Sequence, residues 1–226
     1  MTYAELVAAI SDYTENTFPT VAVDTFIRQA EQRIYNSVQF PSLRKNVTGQ
    51  TTGSNKYLSC PTDFLAAYSM AVVDGTGAYE FLLNKDVNFI RAAYPSPAST
   101  GLPRYYALFG PTTTSGASPT PTNELSFILG PTPDTTYVVE LHYYYYPTSI
   151  TLNSVAGNTT WLSDNFDTVL LYGSLVEAYT YMKGEADVMA LYDAKYKEAL
   201  ALAKRLGDGM ERQDAYRSGQ ARVPVT

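Results

Sequence analysis

One histidine and one cysteine occur in 226 residues. His142 would have to be the base of any Ser- or Cys-type triad, and it has no second histidine to form a metal pair. The lone Cys60 excludes an internal disulfide framework and says little about compartment. Charge is scarce too. Only 17% of residues are charged, below the usual quarter or so. The 22 acidic residues outnumber 16 Lys and Arg, for a formal net charge of -6. This balance argues against affinity for DNA or an anionic membrane. No apolar run reaches the ~18 residues needed to span a bilayer. The start, Met1-Thr2-Tyr3-Ala4-Glu5, has no basic n-region, so no signal peptide is expected.

Bulk is not lacking. A chain of this length buries roughly 70% of the surface that its unfolded form exposes. It therefore needs no metal or disulfide to hold a core. Hydrophobic residues make up 45%, and among them are 20 Tyr, 9 Phe and 1 Trp. Tyrosine joins a large apolar body to a hydroxyl that wants a partner, which suits surfaces that are part wet and part packed.

The pattern runs helices, strands, helices. Thr2-x-x-Glu5 reads as a capping box, with Leu6, Ile10 and Tyr13 on one helical face. Asn16 to Pro19 breaks that helix. Asp24 is a good cap for the next, where Ile27, Ala30, Ile34 and Val38 repeat at helical spacing. Arg28, Glu31, Gln32 and Arg33 are left for solvent or a neighbour. From Val47 the period becomes two. Gly53-Ser54-Asn55 and Asp74-Gly75-Thr76-Gly77 read as hairpin turns. A short helix capped by Asn84 carries Val87, Ile90 and Tyr94 on one side, and three further strands follow. Thr112–Asn123 is a Thr/Ser/Pro-rich loop. After Trp161 a helix capped by Ser163 or Asp164 carries two apolar stripes. One is Phe166, Val169, Gly173 and Val176; the other is Leu171, Leu175, Ala178 and Met182. A helix apolar on two sides belongs at the centre of a bundle. The next, Glu185–Leu206, is amphipathic and is expected to stop at Gly207 and Gly209.

The expected fold class is α+β. Residues 1–45 and 161–207 form a helical bundle, residues 46–160 an inserted β-rich lobe, and residues 208–226 an extended C-terminal arm. Ile27, Ile34, Val169, Leu175 and Val176 should share one core.

Chemistry is thinly represented. Glu140 shares a strand face with His142 and could orient its imidazole for base work. No nucleophile motif accompanies the pair, and it reads as an ordinary polar sheet face. Cys60 lacks the positive setting of a reactive thiol. Asp164 and Asp167 complement a helix dipole more simply than they bind a metal. No catalytic residue, metal site or cofactor is expected. The Tyr143–Tyr146 run could stack sugars or bases as an aromatic platform. Without a basic groove, it reads instead as tyrosines that pack in the sheet or meet another subunit, with Tyr144 and Tyr146 pointing outward.

Four passages in order resemble a known family. They are Phe26-Ile27-Arg28-Gln29-Ala30-Glu31-Gln32-Arg33-Ile34; Tyr57-Leu58-Ser59-Cys60-Pro61-Thr62-Asp63-Phe64; Phe127–Asp134 running into Tyr143–Pro147; and Thr160-Trp161-Leu162 leading into Leu170–Ala178. They resemble the head-to-tail adaptor, or connector, proteins of tailed bacteriophages, including the tail-tubular-A type. Cys60 stands where a Leu-like residue is common. The resemblance implies a structural virion protein of the neck region, assembled in the host cytoplasm. It implies a homo-oligomeric ring, usually of twelve copies, between the portal protein and a tail nozzle or tail tube protein. DNA would pass through the ring without specific binding. The net negative charge suits such a channel, and abundant Tyr with little charge suits subunit contacts.

The last residues mix Arg212, Tyr216, Arg217, Arg222, Val223 and Val225 with no core period. They are expected to dock on the portal or on a neighbouring subunit, ordering only on contact. The competing class is a tail-associated carbohydrate-binding module built on the Tyr-rich sheet.

Overall fold

A computed structural model describes residues 1–96, 98–110, 125–152 and 159–217, and over 207–217 it describes the backbone alone. The Thr112–Asn123 loop lies outside the described residues. The chain divides into two compact units. One comprises Met1–Leu43 and the chain from Tyr146 on; the other is Arg44–Tyr145. The class is α+β.

The helical unit begins with α1, Tyr3–Thr14. Its capping box forms as the sequence suggests. Thr2 Oγ1 accepts the Glu5 N–H at 3.3 Å, and the Thr2 N–H donates to Glu5 Oε2 at 2.8 Å. Helix α2, Thr20–Ser37, starts earlier than expected. Its cap residue is Pro19, whose missing N–H costs nothing at a helix start. Asp24 lies inside the helix and accepts the Tyr3 hydroxyl at 2.7 Å. Ile27, Ala30 and Ile34 are fully buried.

Thr160 caps the short helix α4, Trp161–Asn165, with Ser163 closing a second capping box. Helix α5, Asp167–Met182, follows. It packs against α1, α2 and α4, and against α6, Ala186–Arg217. The two apolar stripes thus find partners on different sides, as expected of a central helix. Val169, Leu175 and Val176 join Ile27 and Ile34 among the buried residues. Gly173 allows the close approach here. A Cβ on it would lie 3.2 Å from both Ala30 Cβ and Tyr196 Cε2.

Helix α6 corrects one expectation. It does not stop at Gly207 and Gly209 but continues as helix to Arg217. A glycine inside a helix costs only about 1 kcal/mol, and favourable residues on both sides outweigh it. Gly173 lies against Tyr196, and Tyr179 packs on Tyr192 at 4.9 Å. This antiparallel register brings Ala203 opposite the start of α5, and Ala203 is fully buried. From Lys204 on, α6 runs past that end of α5 for roughly 20 Å at 1.5 Å per residue.

The β unit is a sandwich of two four-stranded sheets. The first contains β1 (Arg44–Gln50), β3 (Ala66–Val73), β4 (Tyr79–Phe81) and β8 (Val138–Tyr144), ordered β1-β8-β3-β4 and antiparallel throughout. The second contains β2 (Tyr57–Ser59), β5 (Leu83–Asn84), β6 (Tyr105–Phe109) and β7 (Ser126–Gly130), ordered β2-β7-β6-β5. Met70, Val72, Val139, Leu141 and Tyr143 from the first sheet meet Tyr106, Phe127 and Leu129 from the second. The short helix α3, Val87–Ala93, covers the second sheet's other face, where Ile90 packs with Ala107 and Ile128. Asp86, not Asn84, caps α3 by accepting the Asn88 N–H at 2.7 Å.

Of the two expected hairpins, β3–β4 forms. The other does not, because β1 and β2 belong to opposite sheets. Its turn bonds elsewhere. The Ser54 N–H donates to Pro133 O at 2.7 Å, and the Thr51 N–H donates to Tyr137 O at 2.9 Å. Those partners hold the connection across the end of the sandwich and let Leu58 join the shared core.

Candidate interaction surface

Arg28, Glu31 and Arg33 of α2 bond within the chain, whereas Gln32 is exposed as expected. Glu31, expected to face solvent or a neighbour, is 3% exposed. It accepts the Ile150 N–H at 3.1 Å. Burial pushes its carboxyl pKa up, against the opposing pull of Ser149, Ile150 and Arg28. Arg28 Nε donates to Thr151 Oγ1 at 2.9 Å. Arg33 pairs with Glu177 of α5, and its guanidinium lies 5.9 Å from the Tyr196 ring centre. Helix-period reading misses Glu31, because a carboxylate normally marks the wet face. A buried acid surrounded by the apolar stripe is the signal it leaves.

The Tyr57–Phe64 passage fastens the sandwich. Asp63 accepts the Tyr143 hydroxyl at 2.8 Å and the Lys45 ammonium at 2.7 Å. Lys45 chiefly holds the Asp63 carboxyl below its usual range. Phe64 stacks on Tyr143 at 5.8 Å and meets Phe127 edge-on at 5.3 Å. Cys60 is buried beside them, and burial lifts its thiol pKa to about 12.

The tyrosine run is divided by the boundary between the units. Tyr143 is in the sandwich core. Tyr144 meets Tyr68 edge-on at 5.9 Å, with the Arg44 guanidinium 5.8 Å from its ring centre. Tyr145 packs 6.3 Å from Tyr143. Tyr146 belongs to the helical unit, where its hydroxyl donates to Asn36 and its ring lies 6.4 Å from Tyr35. Tyr144 and Tyr146 therefore keep outer edges in solvent, each within its own unit.

His142 is on the outer face of the first sheet. Its Nδ1 is 3.3 Å from Ser69 Oγ and its Nε2 is 3.8 Å from Glu140 Oε1. Asn46 Nδ2 donates to the same carboxylate at 2.7 Å. The group lies in the open, with the His142 side chain 45% exposed. It fits the expected polar sheet face. Among the described residues no three metal-ligating side chains cluster, and no helix is long and apolar enough to cross a membrane.

Three other surfaces are more apolar than a lone subunit requires. On α6, Leu191, Leu202 and Leu206 are 46% to 59% exposed. On the extended segment through β4 and β5, Tyr79, Phe81 and Leu83 alternate outward while Leu82 is buried. At the opposite end of the sandwich, between β1 and β2, is a cavity of about 240 Å³. Val47, Gly49, Leu58, Cys60, Phe127 and Leu141 help line it. Arg212, Tyr216 and Arg217 fall on the helical backbone of α6; Arg222, Val223 and Val225 lie outside the described residues.

These features define a two-part chain, a helical unit and a β-sandwich, each with exposed apolar side chains that a contact could cover. The chain belongs to the SU10 adaptor protein family, whose model matches residues 1–224. It is thus a bacteriophage adaptor, a structural component of the virion that associates with other head and tail proteins, and its family is not one of enzymes. No curated protein matches the chain.

Proposed function

We propose that this adaptor forms a closed ring, most simply a dodecamer, between the portal and a tail nozzle or tail tube protein. Its place is the neck of the virion, reached by assembly in the host cytoplasm. The ring lines the channel through which DNA leaves and performs no chemistry on it. A finer kinship with the tail-tubular-A type is part of this reading.

The observation that carries the proposal is the family match over residues 1–224. The structure supplies supporting physics. Exposed Leu191, Leu202 and Leu206 on α6 give a neighbouring copy something to bury. The net charge of -6 disfavours adhesion of DNA to the channel wall. The tyrosines that a saccharide platform would use are engaged with Asn36, Arg44, Tyr68 and Asp63 inside the chain.

Locating the chain in purified virions tests the reading. Labelled antibody should mark the neck in every tailed particle. Label confined to fibres or tail tip, or a saccharide that stabilises the isolated protein, would count against it.

A further inference from the structure

The sandwich is open at one end. Strand β1 is the terminal strand of the first sheet and β2 the terminal strand of the second. Both line the 240 Å³ cavity, β1 through Val47, Thr48 and Gly49, and β2 through Leu58 and Ser59. β1 pairs only with β8 among the described strands, so half of its peptide groups point away from the sheet. On its inner face Lys45, Val47 and Gly49 stand opposite Tyr143, Leu141 and Val139. Glycine weakens a strand interior and often marks a place where another backbone comes close. A Cβ built on Gly49 meets nothing within 4 Å. The cavity is far larger than the ~30 Å³ share of one water, and its side-chain walls are largely hydrocarbon.

These match the two requirements for strand addition: an edge that no described strand pairs, for main-chain bonds, and a pocket for alternate side chains. The chain carries a fitting segment in Arg222-Val223-Pro224-Val225. In an extended strand Val223 and Val225 point to the same face. Because the Thr51 N–H bonds Tyr137 O on β8, Val47 and Gly49 also bond toward β8, and β1 offers the peptide groups of Asn46 and Thr48; a segment added parallel to β1 meets these with the peptide groups of Val223 and Val225, and the N–H that Pro224 lacks would point the other way, into solvent. That is the one side of an edge strand where proline is accepted. Helix α6, which precedes this segment, runs past the start of α5 as far as Arg217.

We infer that residues 222–225 of a second copy add to β1 and seat Val223 and Val225 in the cavity between β1 and β2. The inference rests on the assembly reading above, and it gives the C-terminal residues a defined receptor within the ring. Each subunit is then donor to one neighbour and acceptor from the other, a heterologous contact that closes when the rotation permits.

Cys60, the chain's only cysteine, lines the cavity and makes the test direct. A full-length Val225→Cys variant is oxidised in virions and, concentrated, as free protein. Disulfide formation needs Cβ atoms about 3.5–4.5 Å apart. The expected result in virions is a ladder of covalent multimers on a non-reducing gel. The ladder should disappear when Cys60→Ser is added, and when Gly49→Leu fills the cavity from a position with room for it. Virions that contain the variant but show no ladder, or a ladder indifferent to Cys60→Ser, overturn the inference and leave the ring standing. A disulfide formed only within single chains overturns it too. If the unaltered chain is absent from virions, the assembly reading fails, and the concentrated free variant then decides the contact by the same Cys60 dependence.

Discussion

The carboxylate of Glu31 on α2 accepts the N–H of Ile150 at 3.1 Å, across 119 positions of sequence. It ties the segment that re-enters the helical unit to the middle of α2, and it does so in a site that holds the acid's pKa above its ordinary 4.5. The folded state therefore keeps its proton to higher pH than the unfolded chain. Stability from this group is fully present below the unfolded pKa and is lost as pH rises through the folded one. Melting temperature measured from about pH 4 to 8 should carry this falling component. Glu31→Gln, which keeps an acceptor oxygen for Ile150, should remove it. An identical pH profile in the variant would show that Glu31 does not titrate differently on folding.

The shared helical core makes a second prediction. Val176 is 9% exposed and Leu175 fully buried. Leu175→Ala should cost about 2–5 kcal/mol, and Val176→Asp should cost several kcal/mol or prevent folding. Denaturant titration measures both. A soluble Val176→Asp protein with unchanged melting would mean that the early and late helices do not pack as described.

Gly173 supplies a sharper test of the same packing. Gly173→Val would drive a branched side chain into Ala30 and Tyr196, each only 3.2 Å from the new Cβ. The expected loss is about 1–3 kcal/mol from overpacking. Gly49→Val on β1, where a Cβ meets nothing within 4 Å, should leave melting equal or higher. Comparable losses at both sites would contradict the assignment of one as crowded and the other as open.

Much of this was legible in the sequence because periodicity reports burial. Ile27 and Ile34 repeat at helical spacing, Val169 and Leu175 belong one to each apolar stripe of α5, and all four are buried; the 2-residue period around Leu141 and Tyr143 marks the sandwich face. Three things were hidden. Glu31 looked wet because nothing local reveals that Ile150 will bring it a donor. The Gly53-Ser54-Asn55 turn looked like a hairpin because turn residues do not say which sheet the next strand joins. Gly207 and Gly209 looked like a stop because a helix end is set by the balance over many residues, and two glycines cost less than the surrounding turns return. The cavity between β1 and β2 leaves one trace in sequence, a glycine at an inward position of a strand.

Cys60 gives a chemical prediction. With its thiol pKa lifted to about 12 by burial, almost no thiolate exists near pH 8. The native chain should be alkylated far more slowly than the unfolded one, and it should label fully in denaturant. Rapid labelling of native protein would place Cys60 in a wetter setting than this one.

The segment after α6 should matter to assembly and not to folding. Deleting residues 218–226 should leave the melting temperature of the isolated subunit unchanged while lowering the fraction of portal-containing heads that acquire adaptor. Many weak arms acting together can hold firmly, so the loss should be steep. Normal attachment by the truncated chain would make the segment a passive end.

The central claim is that this chain acts as a closed ring on a portal. Native mass measurement of the purified adaptor, alone and mixed with its portal, tests it most directly. The account predicts that the mixture reaches one discrete mass, a portal ring plus a full ring of adaptor subunits, whatever state the adaptor has alone. A series of partial occupancies in which single adaptor subunits bind single portal subunits and never close would contradict it.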